Sequence, residues 1–371
     1  MTNILIDEIE AGMMPDPHRR IRAVTARKQG AGSEEKYDFS TLFYGAVQAG
    51  DEIILICPKL LNFQKELKQA KILLDGKKAG RPRIRNYYRH SMVHIPAPGP
   101  TGTVRIELQS GAVIEHPVAQ PRFDLFRGLN CEMLISKNNR LEWIEEHVTH
   151  HVRNHHLEGL VFIDNGSTDY GLQDIEKALS GAGLKSCVIM SMPFPWGGQN
   201  FRPYVNKELF LQTAAYNLVK WKYLFHARAV LRVDVDEILH ENQIGNVFDL
   251  TEKSHFGFQV FDGAKRYPRP ESTAPFAYSD HTFRMDPDRV GGGNWCLKPD
   301  GKLKNFQWRC HNLEGFPLKR LVKLPGSWYY DCEGVTTGWK SSGRLKHRED
   351  TVLDEDTVRF FETFPRAGGG A

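Results

Sequence analysis

The chain has 371 residues, which is long enough to bury large hydrophobic cores without stabilisation by disulfides or bound metal. This length is typical of two or three domains. It is 40% hydrophobic and 25% charged, the composition of an ordinary soluble globular protein. A formal net charge of +4 on so long a chain argues against nucleic acid as a partner, and it is compatible with an anionic substrate or an anionic membrane surface.

The cysteines and the amino terminus predict a cytoplasmic protein. No two cysteines form a C-x-x-C pair, which argues against a zinc ribbon or a thioredoxin-like redox site. The first 20 residues carry Asp7, Glu8 and Glu10 where a signal peptide has basic residues and an apolar run. No stretch of 18 apolar residues occurs, so we expect reduced thiols, no transmembrane segment and at most peripheral contact with the inner face of a membrane.

Residues 1–125 are expected to form a small β-rich, sandwich-like accessory module without a catalytic group. Short runs rich in valine and isoleucine alternate there with turn signals. The segment Phe63–Gly76 fits either a helix or a charged hairpin, and the sequence leaves both open. The predicted strands are Asp51–Pro58, Ser91–Pro96, Thr103–Gly111 and Ala112–Val118.

From residue 128 to 350 the pattern changes to strands alternating with helices, which predicts an α/β domain with a parallel sheet covered on both faces. Residues 351–371 are expected to be a C-terminal helix or tail. Ligands of such sheets bind beyond the carboxyl ends of the strands. Three polar turns follow predicted strands in this way: Lys137–Asn139, Asp164–Asp169 and Asp234–Glu237.

The strongest chemical signal is the motif Asp234-Val235-Asp236, which follows an apolar run. Alternation along a strand would place Asp234 and Asp236 on the same face. Two converging carboxylates repel each other unless a cation lies between them, and hard oxygen ligands favour Mg²⁺ or Mn²⁺ with substrate phosphate oxygens in the shell. The alternative is a solvated acidic turn. The position after a buried strand favours the metal site.

A second signal is Asp164, which follows an apolar run at the end of a predicted strand. Its carboxylate is placed to accept hydrogen bonds from a nucleoside. Gly166 permits a tight turn, and Ser167 or Thr168 is suited to cap the next helix. The alternative is that the whole segment is turn and cap chemistry, which we expect for residues 166–169.

Three motifs in this order, SKNNRLEWIEEHV, LVFIDNGSTD and LRVDVDEIL, resemble the nucleotide-binding half of family 2 glycosyltransferases. More specifically, they resemble the family 92-like relatives of polysaccharide biosynthesis, over residues 130–345. The sequence departs from that pattern at Asn139 and Ile238, where the family usually has Glu and Phe. It also has Asp331 and Cys332 where the family has His-Phe, so either Asp331 or His311 is a candidate third metal ligand.

The resemblance implies a GT-A (Rossmann-like) domain that moves a sugar from a nucleotide-diphosphate donor, a UDP-sugar, to a carbohydrate or lipid-linked acceptor with Mn²⁺ or Mg²⁺ and inversion of configuration. Inversion requires a carboxylate that deprotonates the acceptor hydroxyl. The catalytic candidates are Asp236 and, as the base, Asp262, Asp280 or Glu314. The donor-binding candidates are Ser136, Lys137, Asn138, Asp164, Asp234 and Lys340, and the metal-binding candidates are Asp234, Asp236 and His311.

Two further sets of residues have competing interpretations. The histidines of the helix at 140–155 suggest a metal site, but no acid or cysteine cluster accompanies them in the sequence, and a solvated helix face is the better explanation. Trp295 or Trp308 is expected on the wall of an open acceptor cleft beside Asp236, with His311 near the metal; the alternative is that both tryptophans are core. Trp339 either lines the sugar site or packs.

Two other functions remain open from the sequence. A phosphoryl or nucleotidyl transferase would use the same acidic strand end, although the absence of a Walker loop argues against a P-loop kinase. A carbohydrate-binding protein with an inactive α/β domain is the other, and the intact D-x-D motif counts against it.

Overall fold

The computed structural model describes residues 2–198, 200–240, 244–338 and 350–368. The helices are α1 (Phe63–Gln69), α2 (Leu141–His155), α3 (Leu172–Ser180), α4 (Phe210–Val219), α5 (Val247–Lys253) and α6 (Glu355–Glu362). The strands are β1 (Asn3–Glu8), β2 (Gly12–Met13), β3 (Thr41–Phe43), β4 (Gly45–Ala49), β5 (Glu52–Pro58), β6 (Lys71–Leu74), β7 (Lys77–Lys78), β8 (Arg83–Asn86), β9 (His90–Pro96), β10 (Thr103–Glu107), β11 (Val113–Pro117), β12 (Asn130–Ser136), β13 (Gly159–Asp164), β14 (Ser186–Ser191), β15 (Ala229–Arg232), β16 (Glu237–Leu239), β17 (Phe258–Arg266), β18 (Phe283–Arg284), β19 (Asn294–Leu297), β20 (Lys323–Cys332) and β21 (Val352–Leu353).

The largest sheet of the described chain has nine strands in the order β1-β14-β13-β12-β15-β19-β17-β20-β16. The strands β1, β14, β13, β12 and β15 are mutually parallel, whereas β19 pairs antiparallel to β15. Both faces of this sheet are buried. Along β13, Val161 and Ile163 point to the core shared with α4, while Leu160 and Phe162 point to the core shared with α2 and α3. The α/β architecture expected from the sequence is therefore present, but the sheet is mixed rather than parallel throughout, because β19 and β16 pair antiparallel to their neighbours.

Antiparallel sheets dominate the first part of the chain. The sheet β4-β5-β9-β8 and the sheet β11-β10-β6-β7 enclose a core of their own. The other face of the first sheet, through Tyr44, Ile54 and Met92, shares a core with α4. The strand β1 lies outside these sheets, because it forms the edge of the nine-stranded sheet beside β14. The division of the chain near residue 125 stays a prediction.

The structure differs from the expected elements at several places. The segment Phe63–Gly76 is neither a single helix nor a hairpin: α1 is followed directly by β6. The helix α4 continues into a π-helical turn over Lys220–Leu224. The apolar run before Asp234 and the D-x-D motif do not form one strand, since β15 ends at Arg232 and β16 pairs with β20 at the other end of the sheet. No helix of the described ranges is long and apolar enough to cross a membrane.

Candidate functional site

The two aspartates of the D-x-D motif lie in a turn between β15 and β16, which we call the acidic turn (Asp234–Glu237). The Glu237 amide donates to the carbonyl of Asp234 at 2.9 Å, and the Asp234 amide donates to Oε2 of Glu237 at 2.6 Å. The expectation that strand alternation aligns the two aspartates is therefore wrong, because the chain leaves the sheet after Arg232. The reciprocal hydrogen bonds of Glu237 shape this segment instead.

Carboxylates outnumber cations around the acidic turn. Asp331 on β20 is opposite Glu237 in the strand pairing, and the Cys332 amide donates to the carbonyl of Asp236 at 2.7 Å. Burial raises the pKa of Glu237, and the negative charges of Asp234, Asp236 and Asp331 raise it further, although a nearby guanidinium opposes them. Four acidic side chains thus surround one segment at the carboxyl end of β15.

That guanidinium belongs to Arg232, the last residue of β15, which is only 1% exposed. It donates to Oδ2 of Asp234 at 2.7 Å and to Oδ1 of Asn294 at 2.6 Å. It also contacts the hydroxyl of Tyr216 at 3.2 Å, and its Nη1 lies 3.7 Å from Oε2 of Glu237. The buried arginine therefore links the acidic turn to α4 and β19.

The loops that follow β12 and β13 are joined by the side chain of Asn138, whose backbone is left-handed at φ +54°. The backbone amide of Asn138 donates to Oγ of Ser167 at 2.9 Å, and the side-chain Oδ1 accepts from the Thr168 amide at 2.7 Å. The hydroxyl of Thr337 donates to the carbonyl of Lys137 at 3.2 Å, which brings the segment after β20 to the same place. The polar turns that the sequence separates are thus adjacent at one edge of the sheet.

Asp164, at the end of β13, is 3% exposed, and hydrogen bonds within its own turn occupy the carboxylate. Oδ2 accepts from the amides of Gly166 and Ser167, each at 3.0 Å, and Oδ1 accepts from the Ser167 hydroxyl at 2.5 Å. The φ of Gly166 is +72°, a conformation that disfavours any other residue. These contacts give Asp164 a turn-forming role, and its contact with a nucleoside stays a prediction.

An open cleft of about 460 Å³ lies beside these loops at the carboxyl ends of β12, β13 and β14. We call it the carboxyl-end cleft. Its polar wall includes Lys137 and Asn165, and its apolar wall includes Phe194 and Trp196. The side-chain amide of Asn165 donates to the carbonyls of Met192, at 2.7 Å, and Phe194, at 2.9 Å, which fixes that wall against β13. An aromatic wall with two lysines, Lys36 and Lys137, against one acid, Glu35, suits a ligand with a flat ring and negative charge.

The histidine-rich face of α2 is buried, so the prediction of a solvated face is wrong. Glu132 on β12 lies between two of these histidines, with Oε1 2.7 Å from Nε2 of His147 and Oε2 2.7 Å from Nδ1 of His151. His151 accepts at Nε2 from the Leu239 amide at 3.1 Å. Burial alone would raise the pKa of Glu132, but the two histidines lower it to about 2.

Among the described residues, Glu132, His147 and His151 are the one group of three potential metal ligands whose donor atoms lie within 4.8 Å of one another. The hydrogen bonds between them account for this proximity. The second nitrogen of His147 lies 3.2 Å from the carbonyl of Val235, which also accepts from the hydroxyl of Tyr278 at 2.5 Å. The buried cluster therefore contacts the acidic turn at Val235, the residue between the two aspartates, and helps to fix its position.

The candidate bases have different surroundings. Asp262 on β17 forms an ion pair with Lys323 at 2.5 Å and faces the glycine-rich segment at Gly293. Asp280 accepts from the Ala277 amide at 2.8 Å, which is a local cap. Glu314 accepts from the amide of Tyr88 at 3.1 Å, so it faces the β-rich part of the chain rather than the acidic turn.

His311 is exposed and lies 2.8 Å, through Nδ1, from the carbonyl of Gly293. Crowding of the ring by protein atoms lowers its pKa, and the charge of Arg232 lowers it further, while Asp234 opposes both effects. His311 is thus within electrostatic range of the acidic turn. Its donor atoms do not form a group with those of Asp234 and Asp236 within 4.8 Å.

The tryptophans assigned to an acceptor platform are core residues. Trp295 and Trp308 are both fully buried, with ring centroids 5.6 Å apart, so the prediction of an exposed platform is wrong. Their neighbours Phe258 and Leu313 belong to the same core, which also contains α4. Lys340 and Trp339 lie outside the described residues.

Several solved structures are similar to the chain, all at low identity. They are glycosyltransferases. Residues 1–349 of S. aureus TarS in complex with UDP share 14% identity at a TM-score of 0.32, over 55% of this chain and 60% of that one. The galactosyltransferase LgtC with donor and acceptor sugar analogues shares 10% identity at a TM-score of 0.26, over 46% and 58%.

An active-site mutant of LgtC shares 11% identity at a TM-score of 0.31, over 62% of this chain and 94% of that one. No protein-family model matches the chain, and no curated protein matches it significantly. Similarity this low does not assign the chain to a family, and the proposal below therefore rests on the geometry of the site.

Proposed function

We propose that the protein is a metal-dependent glycosyltransferase that moves a sugar from a nucleoside-diphosphate donor to a carbohydrate or lipid-linked acceptor. The observation that carries the proposal is the position of the acidic turn. It lies at the carboxyl end of β15, on the same edge of the parallel strands as the carboxyl-end cleft beside β12, β13 and β14. A sheet of this type places its ligand at that edge.

The acidic turn has the donor chemistry that a hard divalent cation prefers. Asp234 is 17% exposed at its side chain and Asp236 supplies a second carboxylate, while Asp331 and Glu237 add negative charge around them. Mg²⁺ or Mn²⁺ takes such oxygens together with water and phosphate oxygens, so two protein carboxylates suffice. When bound, the cation would neutralise the charge that develops on the departing diphosphate.

The remaining roles follow from the side chains of this chain. Asp164, with the loop that Asn138 braces, orients the nucleoside end of the donor in the carboxyl-end cleft. Lys137 supplies a positive charge to the diphosphate from the wall of the same cleft. Arg232 fixes the orientation of Asp234 through the 2.7 Å ion pair, so the turn is ordered before the donor binds.

For an inverting transfer, Asp262 is the best placed of the three candidate bases. The charges of Asp262, Glu237 and Asp331 all act on the hydroxyl of Tyr329, which places Asp262 in the neighbourhood of the acidic turn. Its ion pair with Lys323 at 2.5 Å fixes the position of the side chain, and a carboxylate there can accept a proton from a hydroxyl. Asp280 accepts a hydrogen bond from the Ala277 amide in a local cap, and Glu314 accepts one from the Tyr88 amide in the β-rich part of the chain.

The experiment is to incubate the protein with UDP-glucose, UDP-galactose, UDP-N-acetylglucosamine and their GDP counterparts, with Mn²⁺ and with excess chelator. Release of the nucleoside diphosphate is measured, and nucleotide binding is followed by calorimetry. Asp236→Asn should abolish Mn²⁺-dependent binding and release while its thermal midpoint stays within a few degrees of wild type. Asp286→Asn is the matched control, because that carboxylate is 73% exposed and its ion pair with Arg284, at 3.6 Å, is a surface contact.

Three outcomes contradict the proposal. Full activity of Asp236→Asn in chelator would remove the acidic turn from the reaction. Release of phosphate or pyrophosphate, in place of a nucleoside diphosphate, would make the protein a phosphoryl or nucleotidyl transferase. Binding of saccharides without any turnover of a donor would support the carbohydrate-binding alternative.

A further inference from the structure

A segment from the β-rich part of the chain reaches the carboxyl-end cleft. Residues 22–37, which we call the N-terminal segment, precede β3. Glu35 and Lys36 of this segment line the cleft together with Lys137 and Asn165, so two parts of the chain that are far apart in sequence form one cleft. Lys36 is exposed, and its positive charge is therefore accessible to a ligand in the cleft.

The N-terminal segment packs closely against the loop that forms the apolar wall of the cleft. The amide of Gly197, the residue after Trp196, donates to the carbonyl of Lys36 at 2.8 Å. A Cβ at Gly198 would collide with the carbonyl oxygen of Ser33, so only glycine permits this approach of the two backbones. The backbone of Lys36 is thus fixed beside the aromatic wall.

A buried carboxylate, Glu208, joins the N-terminal segment to the same loop. Its side chain is fully buried, and its Oε2 lies 2.6 Å from Nη2 of Arg22. Oε1 accepts from the amide of Ala23 at 2.7 Å, and Oε2 accepts from the side-chain amide of Asn200 at 3.0 Å. Arg22 also donates to Oγ of Ser33 at 3.1 Å. Because breaking a buried ion pair leaves a charge uncompensated, this network fixes the path of the N-terminal segment.

The charges that line the carboxyl-end cleft have a positive balance. Lys36 and Lys137 contribute two ammonium groups, and Glu35 contributes one carboxylate. Another lysine of the N-terminal segment, Lys28, donates instead to the hydroxyl of Tyr204 at 2.8 Å. A diphosphate carries negative charge on two neighbouring phosphates, and an ammonium group is a suitable point charge for each of them. The cleft therefore offers cations for a diphosphate from two parts of the chain.

We propose that Lys36 binds the diphosphate of the donor together with Lys137, and that Glu208 is the positioning residue that holds the N-terminal segment at the cleft. The inference rests on the transferase function proposed above, because its ligand is the donor of that reaction. It gives the β-rich part of the chain, which the sequence predicts to be an accessory module, a direct role in donor binding.

The test is calorimetry with UDP and with GDP, each in the presence of Mn²⁺ and at low ionic strength. Lys36→Met should weaken nucleotide binding about fivefold, the effect of losing one exposed ion pair. Lys36→Arg keeps the positive charge and should bind the nucleotide nearly as tightly as wild type. Lys28→Met is the matched control, because it removes the same charge from the same segment and should leave binding unchanged.

Glu208 is tested through its coupling to Lys36. Glu208→Gln should weaken nucleotide binding by a similar factor, and the double variant with Lys36→Met should show no further loss, because both changes act through one ammonium group. Losses that multiply in the double variant would overturn the positioning role. Arg22→Lys, which keeps the charge pair and removes the forked contact, is a milder second variant for the same cycle.

Failure of this inference is distinguishable from failure of the transferase proposal. If wild type binds a nucleotide and Lys36→Met binds it equally well, Lys36 is not part of the site and the proposed function stands. Equal losses in Lys36→Met and Lys28→Met would show a general effect of charge and would also overturn the inference. If wild type binds neither nucleotide in Mn²⁺, the proposed function is contradicted, and the inference with it.

Discussion

The guanidinium of Arg232 lies 2.7 Å from the carboxylate of Asp234, so a buried cation already holds the first aspartate of the acidic turn. The same side chain contacts Asn294 and Tyr216, which fixes its position from two other elements. A divalent cation at this turn would join an existing network of charges. The network also explains why the chain tolerates so many carboxylates around β15, since one arginine offsets part of their repulsion.

Removing this arginine should strongly destabilise the protein. Arg232→Met leaves Asp234 and Glu237 without their buried partner, and breaking a buried ion pair in this way costs about 3–5 kcal/mol. Arg232→Lys should recover part of the loss but not all of it, because an ammonium group cannot reproduce the forked contacts. The free energy of unfolding, measured by urea denaturation at neutral pH, checks both expectations.

Arg228 provides the control for that measurement. It begins the same segment of chain and pairs with Asp249 and Glu252, but its side chain is 28% exposed. Exposed ion pairs contribute at most about 1 kcal/mol, so Arg228→Met should have a small effect. Equal losses for Arg228→Met and Arg232→Met would contradict the role assigned to the buried network.

Buried histidines on α2 should make the protein sensitive to mild acid. Burial lowers the pKa of His150 and His155 to about 3 and that of His151 to about 4. In the unfolded chain each titrates near 6.5, so the unfolded state binds more protons between pH 6.5 and 4. The unfolding free energy is therefore highest above pH 6.5, where these histidines are neutral in both states, and it decreases as the pH falls from 6.5 to 4. Each histidine should contribute a loss of up to about 2 kcal/mol at pH 5.

The measurement is the free energy of unfolding at pH 7.5 and at pH 5. His150→Gln removes one group whose pKa is lower in the folded state than in the unfolded state. The loss of unfolding free energy between pH 7.5 and pH 5 should therefore be smaller by about 2 kcal/mol, whatever the variant costs at pH 7.5. His255→Gln, at an exposed histidine, should leave the difference unchanged. A difference that is the same in wild type and His150→Gln would refute the assignment.

The sequence predicted the parts of the fold that depend on local periodicity. The apolar run before Asp164 indicated the strand β13, and the helix expected at residues 140–155 is observed as α2. The sequence also predicted that the polar turns after β12 and β13 meet, because the carboxyl ends of parallel strands share an edge. Asn138 and Thr168 confirm this with a 2.7 Å hydrogen bond.

What the sequence did not predict depends on pairing across the fold. The spacing of His147 and His151 on one helix face was visible, but their partner Glu132 lies on a strand whose orientation towards α2 is set by packing. The end of β15 at Arg232 was invisible for a related reason: Glu237 onward pairs with β20, almost a hundred residues later. For the histidine cluster, the local signal in the sequence was Glu132, a single acid within the apolar strand β12. An acid in such a position indicates a buried basic partner.

Asp164 offers the last test, because its carboxylate serves a turn in the structure and a nucleoside in the proposal. If it contacts the nucleoside, Asp164→Ala should raise the KM for the donor about tenfold, the effect of losing one hydrogen bond to a charged group, and change the KM for the acceptor much less. Ser167→Ala removes the 2.5 Å turn contact and keeps the carboxylate, so it isolates the structural role. Asp169→Ala, at an exposed aspartate one position beyond Thr168, is the control. A lower free energy of unfolding with unchanged donor KM in Asp164→Ala would make Asp164 a turn residue only.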